Sequence, residues 1–132
     1  MTVVVRRIRY GFAVLGLPLS QQANSKSKRQ YQMTVAKAAS NSVVSPIQAN
    51  ERITIEIDWF SEGFQNKPDV DNIIKPIQDA LKGIAFVDDN QVESVKARKH
   101  DTTSIIRFLR EPLCLVEPLM NGCKEYVFVR IY

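Results

Sequence analysis

Arg52-Ile53-Thr54-Ile55-Glu56-Ile57-Asp58-Trp59-Phe60 is the most regular stretch of this 132-residue chain. Ile53, Ile55, Ile57 and Trp59 alternate with Thr54, Glu56, Asp58 and Phe60, the period of a β-strand with one buried face. Beyond a polar turn from Ser61 to Pro68 the period changes. Ile73, Ile77, Ala80, Leu81 and Ile84 fall three and four apart, which predicts a helix with a single apolar stripe. Gly83 stands where a C-terminal cap belongs. Pro76 lacks an N–H and is tolerated only in a first turn, so the regular helix is expected to begin near Lys75. From Val92 to Lys99 alternation returns, with Val95 and Ala97 on one side and Lys96 and Arg98 on the other.

Outward from this strand–helix–strand centre the signals weaken. Thr2 to Leu17 is rich in β-branched and aromatic residues and reads as one or two strands broken near Gly11. Pro18 to Arg29 reads as a polar, basic loop. Met33, Val35, Ala36 and Ala39 suggest a short amphipathic helix from Tyr31 to Ala39, fading into a loop at Asn41–Pro46. Ser104 to Leu109 and Tyr126 to Tyr132 read as two further strands. Tyr10, Phe12 and Tyr31 fit core positions better than base-stacking ones. With no internal repeat or linker, the expected fold is α+β: a mixed β-sheet with two main helices packed on it, in a single domain over residues 1–132.

Composition narrows the classes of function. At 45% hydrophobic and 24% charged residues the chain is an ordinary globular one. No apolar run approaches the ~18–20 residues of a bilayer span, so no membrane partner is expected. Neither a signal-peptide pattern nor a secreted disulfide framework is evident, and Cys114 and Cys123 lack the CxxC or Cys/His company of a zinc site. A cytoplasmic location is the expectation. The +4 net charge is unevenly spread. Residues 1–50 carry seven basic side chains (Arg6, Arg7, Arg9, Lys26, Lys28, Arg29, Lys37) and no acidic one. A polyanion partner fits that asymmetry, although a solvated basic face accounts for the same count.

Five of the fourteen acidic residues lie between positions 69 and 89: Asp69, Asp71, Asp79, Asp88 and Asp89. Read singly, Asp71 or Asn72 caps a helix and Asp88-Asp89-Asn90 is an ordinary turn. Read together, they flank one packed helix. Eight helical residues span only ~12 Å, so the short Ile84–Val87 return could carry Asp89 back toward Asp69 and Asp71. Converging carboxylates repel unless protonated or bridged by a cation. An all-oxygen site suits Mg²⁺ or Mn²⁺, and Lys75 stands close enough to Asp71 to steady a phosphate. Competing chemistries fall away. His100 is the only histidine, and its setting between Lys99 and Asp101 suggests an exposed strand end. No GxxxxGK[ST], GxGxxG or GxSxG is present. An EF-hand loop from Asp69 fails because Ile74 occupies its glycine position. No organic cofactor is implied.

Pro68-Asp69-Val70-Asp71-Asn72-Ile73-Ile74-Lys75-Pro76-Ile77-Gln78-Asp79-Ala80-Leu81, then Gly83, then Val87-Asp88-Asp89-Asn90-Gln91-Val92, resembles the signature of the RusA family of Holliday junction resolvases: DxDNxxK, a DAL-type helix and a DDxQV turn. The resemblance implies a homodimeric, Mg²⁺-dependent endodeoxyribonuclease that cuts four-way DNA junctions by paired incisions in recombination and repair. It implies Asp69, Asp71 and Asp89 as essential, metal-holding acidic residues and Lys75 as the essential lysine. Asn72 and Asp88 take auxiliary positions. Lys26, Lys28, Arg29, Lys67, Lys96 and Arg98 are the basic residues expected to touch DNA phosphates. Two other readings fit the same residues: a nucleic-acid-binding module without catalysis, whose carboxylates serve as caps, and a nuclease for other branched DNA such as flaps.

Overall fold

A computed structural model describes residues 7–103 and 112–132. Four strands form one mixed sheet: β1 (Tyr10–Leu15), β2 (Ile53–Ser61), β3 (Val92–Asp101) and β4 (Glu125–Ile131), in the order β1-β4-β2-β3. β4 runs antiparallel to both β1 and β2, whereas β2 and β3 are parallel and joined over the sheet by a helix. The helices are α1 (Ser25–Ser40), α2 (Ile74–Leu81) and α3 (Leu113–Met120), with short 3₁₀ turns at Val70–Ile73 and Asp89–Gln91. The fold is α+β, as expected. Among the described residues no helix is long and apolar enough to cross a membrane.

One face of the sheet carries the main core. Ile53, Ile55, Ile57 and Trp59 of β2 meet Val127, Val129 and Ile131 of β4, and over them lie Tyr31, Val35 and Ala39 of α1 and Ile77 and Leu81 of α2. The stripe predicted for α2 is therefore the buried one. Phe12 and Tyr31 are core residues, and Tyr10 packs against the core while its hydroxyl donates to the Ser45 carbonyl at 2.7 Å.

Several expectations change. β2 has two buried faces rather than one, because it lies between β3 and β4 and α3 covers part of its far side, where Phe60 packs with Leu115, Val116, Tyr126 and Phe128. α3 itself was not expected; its sequence, Leu-Cys-Leu-Val-Glu-Pro-Leu-Met, shows no clean period and contains Pro118. β1 passes through Gly11 unbroken, pairing it with Arg130. A Cβ at Gly11 would meet the Phe128 ring at 3.4 Å, an ordinary contact distance. α1 starts at Ser25, not Tyr31, because the Asn24 side chain caps it by accepting from the Ser27 N–H at 2.9 Å. Its buried stripe is Tyr31, Val35 and Ala39, and Met33 faces solvent. His100 is buried, not an exposed strand end. The strand expected over 104–109, and residues 2–6 of the first one, lie outside the described residues.

Candidate active site

The site is organised by the two ends of α2. Before it, Asp69 is in extended backbone conformation and begins the Val70–Ile73 turn, with Asp71 inside that turn. Neither carboxylate is used as a cap. Asp69 makes no capping bond, and both aspartates are exposed with no side-chain hydrogen bond or ion pair among the described residues. Asn72 does structural work instead. Its carbonyl accepts from the Gln21 N–H at 2.8 Å and its side-chain oxygen from Gln21 Nε2 at 3.1 Å, which ties the β1–α1 loop to the start of α2.

Lys75 sits on the exposed face of α2 and donates to Asp79 at 2.9 Å. The Asp79 carboxylate, with a smaller contribution from Asp89, holds its ammonium above the ordinary lysine range. Pro76 is accommodated in the first turn of α2. Beside Lys75 and Asp79, the first turns of α1 bring Lys28 and Arg29 to the wall of a cavity of about 280 Å³ shared with Gln21 and Gln32. The loop expected over Pro18–Arg29 would not have positioned these cations; the longer helix does.

Beyond α2, the chain turns at Gly83, whose φ of +87° lies in the region open mainly to glycine. Asp88 and Gln91 then form a reciprocal capping box around the Asp89–Gln91 turn. The buried Gln91 fixes this turn. Its Oε1 accepts from the Val87 and Asp88 N–H groups, both at 2.8 Å, while Nε2 donates to the carbonyls of Ile47, Gln48 and Glu51 at 3.2, 2.6 and 3.2 Å. Asp89 thereby lies along α2, 3.5 Å from Gln78 Nε2 and 3.6 Å from Lys82 Nζ. Asp88 also faces Lys82, at 3.9 Å.

These contacts qualify the expected convergence. Asp89 reaches the Gln78–Lys82 side of α2, while Asp69 and Asp71 precede its first turn. Among the described residues no three acidic, histidine or cysteine side chains stand close enough to hold a metal ion. The donor chemistry nevertheless fits a hard divalent cation that takes one or two carboxylates and fills its shell with water and phosphate oxygens: the oxygens of Asp69 and Asp71 are exposed and uncommitted. Of the expected DNA contacts, Lys26 and Lys96 are exposed, and Lys28 also donates to the Gln21 carbonyl at 3.1 Å. Lys67 is held by Glu125 at 2.8 Å and by Ser61, and Arg98 by Asp58 at 3.2 Å and Glu56 at 3.7 Å. Those two cations are cross-links within the fold.

Sequence reasoning missed Gln78, Lys82 and the anchoring role of Gln91. Lys75 and Gln78 fall three apart in α2 with Lys82 following at its C-cap, and Asp88 followed three residues later by Gln91 is a capping-box spacing; both signals were present. A family model described as endodeoxyribonuclease RusA matches residues 19–107. The chain belongs to the RusA endodeoxyribonuclease family. The match takes in α1, β2, α2, the Asp88–Gln91 turn and β3, and membership implies an endonuclease that acts on Holliday junctions. No curated protein matches the chain.

Proposed function

We propose that this RusA-family chain is a Mg²⁺-dependent Holliday junction resolvase, acting as a homodimer that hydrolyses two phosphodiester bonds of a four-way DNA junction in recombination and repair. The observation that carries the reading is the pair of exposed, uncommitted carboxylates, Asp69 and Asp71, ahead of a helix that presents Lys75 and is flanked at its far end by Asp89. Caps would be bonded to backbone amides, and these two are not.

In this reading Asp69 and Asp71 would hold Mg²⁺, with Asp89 as the third carboxylate once DNA is bound and Mn²⁺ able to substitute. A bound divalent ion supplies a more acidic water and neutralises charge on the scissile phosphate. The chain's own residues do the rest. Asp69 and Asp71 would orient the attacking water. Lys75, held beside Asp79 on the exposed face of α2, stabilises the negative charge developing on the phosphate. Lys28 and Arg29 on α1, beside Lys75, hold the strand, and Lys26 and Lys96 add phosphate contacts. Asn72 and Gln91 position the two acidic segments.

Incubation with an end-labelled four-way junction, a flap and a linear duplex, in Mg²⁺ and in EDTA, tests this. Symmetric paired cuts in the junction with Mg²⁺ and none in EDTA are expected. Binding without cleavage of any substrate in any divalent ion would replace the reading by a non-catalytic module. Equal cleavage of flap and junction would replace it by a nuclease for branched DNA in general.

A further inference from the structure

The geometry points to a second phosphate site: a cavity at the end of the sheet, lined by Arg7, Arg9 and Arg52, that grips a phosphodiester of the DNA backbone away from the cleaved bond. The inference rests on reading the chain as a DNA-junction nuclease. The cavity measures about 370 Å³, and Ile53, Thr54, Glu93 and Tyr132 complete its wall, the Glu93 carboxylate being its one negative group against three guanidiniums. It opens where the β2–β3 register slips: Ile53 pairs with Val92 and Thr54 with Ser94, which leaves Glu93 as the extra residue of a bulge. Bulges re-aim side chains and bend strands, and this one lies beside Arg52.

The three guanidiniums are unequally engaged. Arg9 pairs with Glu51 at 3.0 Å, with both side chains well exposed. Arg52 donates one N–H to the Asn90 carbonyl at 2.7 Å and has no carboxylate partner among the described residues. Arg7 has neither hydrogen bond nor ion pair among them. With five N–H donors on each guanidinium, most remain available, and their planar fork matches phosphate oxygens. Arg7 and Arg9 lie before the matched residues 19–107, and Arg52 lies within them.

The cavity is also tied to the candidate active site. Arg52 bonds the residue that follows Asp89, and Gln91 in the same turn clamps the loop that carries Glu51, the partner of Arg9. A phosphate held by the arginines is thus fixed relative to Asp89.

The test uses the full chain and a labelled four-way junction in EDTA, with binding measured across salt concentrations. Loss of one phosphate contact lowers the slope of log affinity against log salt by about one. Arg7→Glu should show that drop and bind about fivefold to tenfold more weakly at ~0.1 M salt. Arg7→Gln should bind between it and the unchanged protein. Lys37→Glu, the same charge change on the last turn of α1, should leave the slope unchanged. Melting curves establish that each variant is folded. Equal affinity and slope for both Arg7 variants and the unchanged protein would overturn the inference, as would an equal loss in Lys37→Glu. If the unchanged protein binds junctions but never cuts them in Mg²⁺, the resolvase reading fails while the Arg7 result still decides the site. A protein that binds no DNA overturns both.

Discussion

Gln91 is 1% exposed and spends both ends of its amide on backbone groups from two separate segments. Replacing it by alanine strands two N–H donors and three carbonyls, each of which costs free energy if left buried without a partner. Gln91→Ala is expected to lose about 2–4 kcal/mol in denaturant titration, and the Asp89 turn should exchange its amide protons faster than it does in the parent. A variant as stable as the parent would mean that the clamp is decorative. Asp58 is the other single residue on which much depends. It is fully buried and accepts from His100 Nε2 at 2.7 Å, Arg130 at 2.9 Å and Arg98 at 3.2 Å. Because a carboxylate only accepts, His100 carries its proton on Nε2, and its ring stacks on Phe60 at 4.5 Å. Burial pushes the Asp58 carboxyl up, but the hydrogen bonds from His100 and Arg130 outweigh it and leave it below its ordinary 3.8. A depressed carboxyl contributes stability that is complete above its unfolded pKa and is lost as pH falls through the folded one. Denaturant titrations of the parent and Asp58→Asn should therefore differ most near neutrality, by about 3 kcal/mol. The two curves should draw together as the pH falls below 3.8. Parallel curves would assign the acid loss to other carboxylates.

Local pattern and local need coincide in α2, and there the sequence was most readable. Ile73, Ile77 and Leu81 are spaced for one face and all three are fully buried. Gly83 ends the helix with a φ of +87°, and its N–H donates to the Phe86 carbonyl at 2.7 Å. An added Cβ there would meet nothing within 4 Å, so the cost of Gly83→Ala is purely that of the backbone, about 1 kcal/mol. Gly83→Asn should recover part of it, since asparagine tolerates the left-handed region. Thermal melts of the two variants decide this, and an alanine variant that melts with the parent would remove glycine's role. β2 was as readable in its alternation but not in its burial. The far-side partners of Phe60 and Asp58 come from α3, β3 and β4, distant segments that no local period announces. The first turns of α1 escaped notice because Lys26 to Gln30 face largely outward and show no stripe. Only the Asn24 cap marks that helix start. The candidate site divides in the same way. Its residue types and order were legible from Pro68 to Val92, but the placement of Asp89 was not. That placement depends on Gln78, Lys82 and the long-range clamp of Gln91 onto Gln48 and Glu51.

Each chain offers one set of Asp69, Asp71, Asp89 and Lys75. A four-way junction with two-fold symmetry presents two equivalent phosphodiesters, and closed two-fold assemblies are the commonest way for one gene product to place two identical sites. On the proposed reading the two cuts therefore come from two subunits bound to one junction. Asp71→Asn removes a negative charge facing phosphate, so it should cut at least a hundredfold more slowly while binding junctions as tightly as the parent, or more tightly. Mixed with the parent chain, it becomes a probe of assembly. On a supercoiled plasmid that extrudes a cruciform, the parent alone should yield linear product, since both incisions fall within one binding event. As Asp71→Asn is added in excess, most parent subunits pair with an inactive one, and nicked circles should replace linear molecules in proportion to the mixed dimers. If the chain cut as independent monomers, dilution by the inactive variant would slow the reaction. The ratio of nicked to linear product would then follow only the amount of active chain on each plasmid, whether or not Asp71→Asn was present.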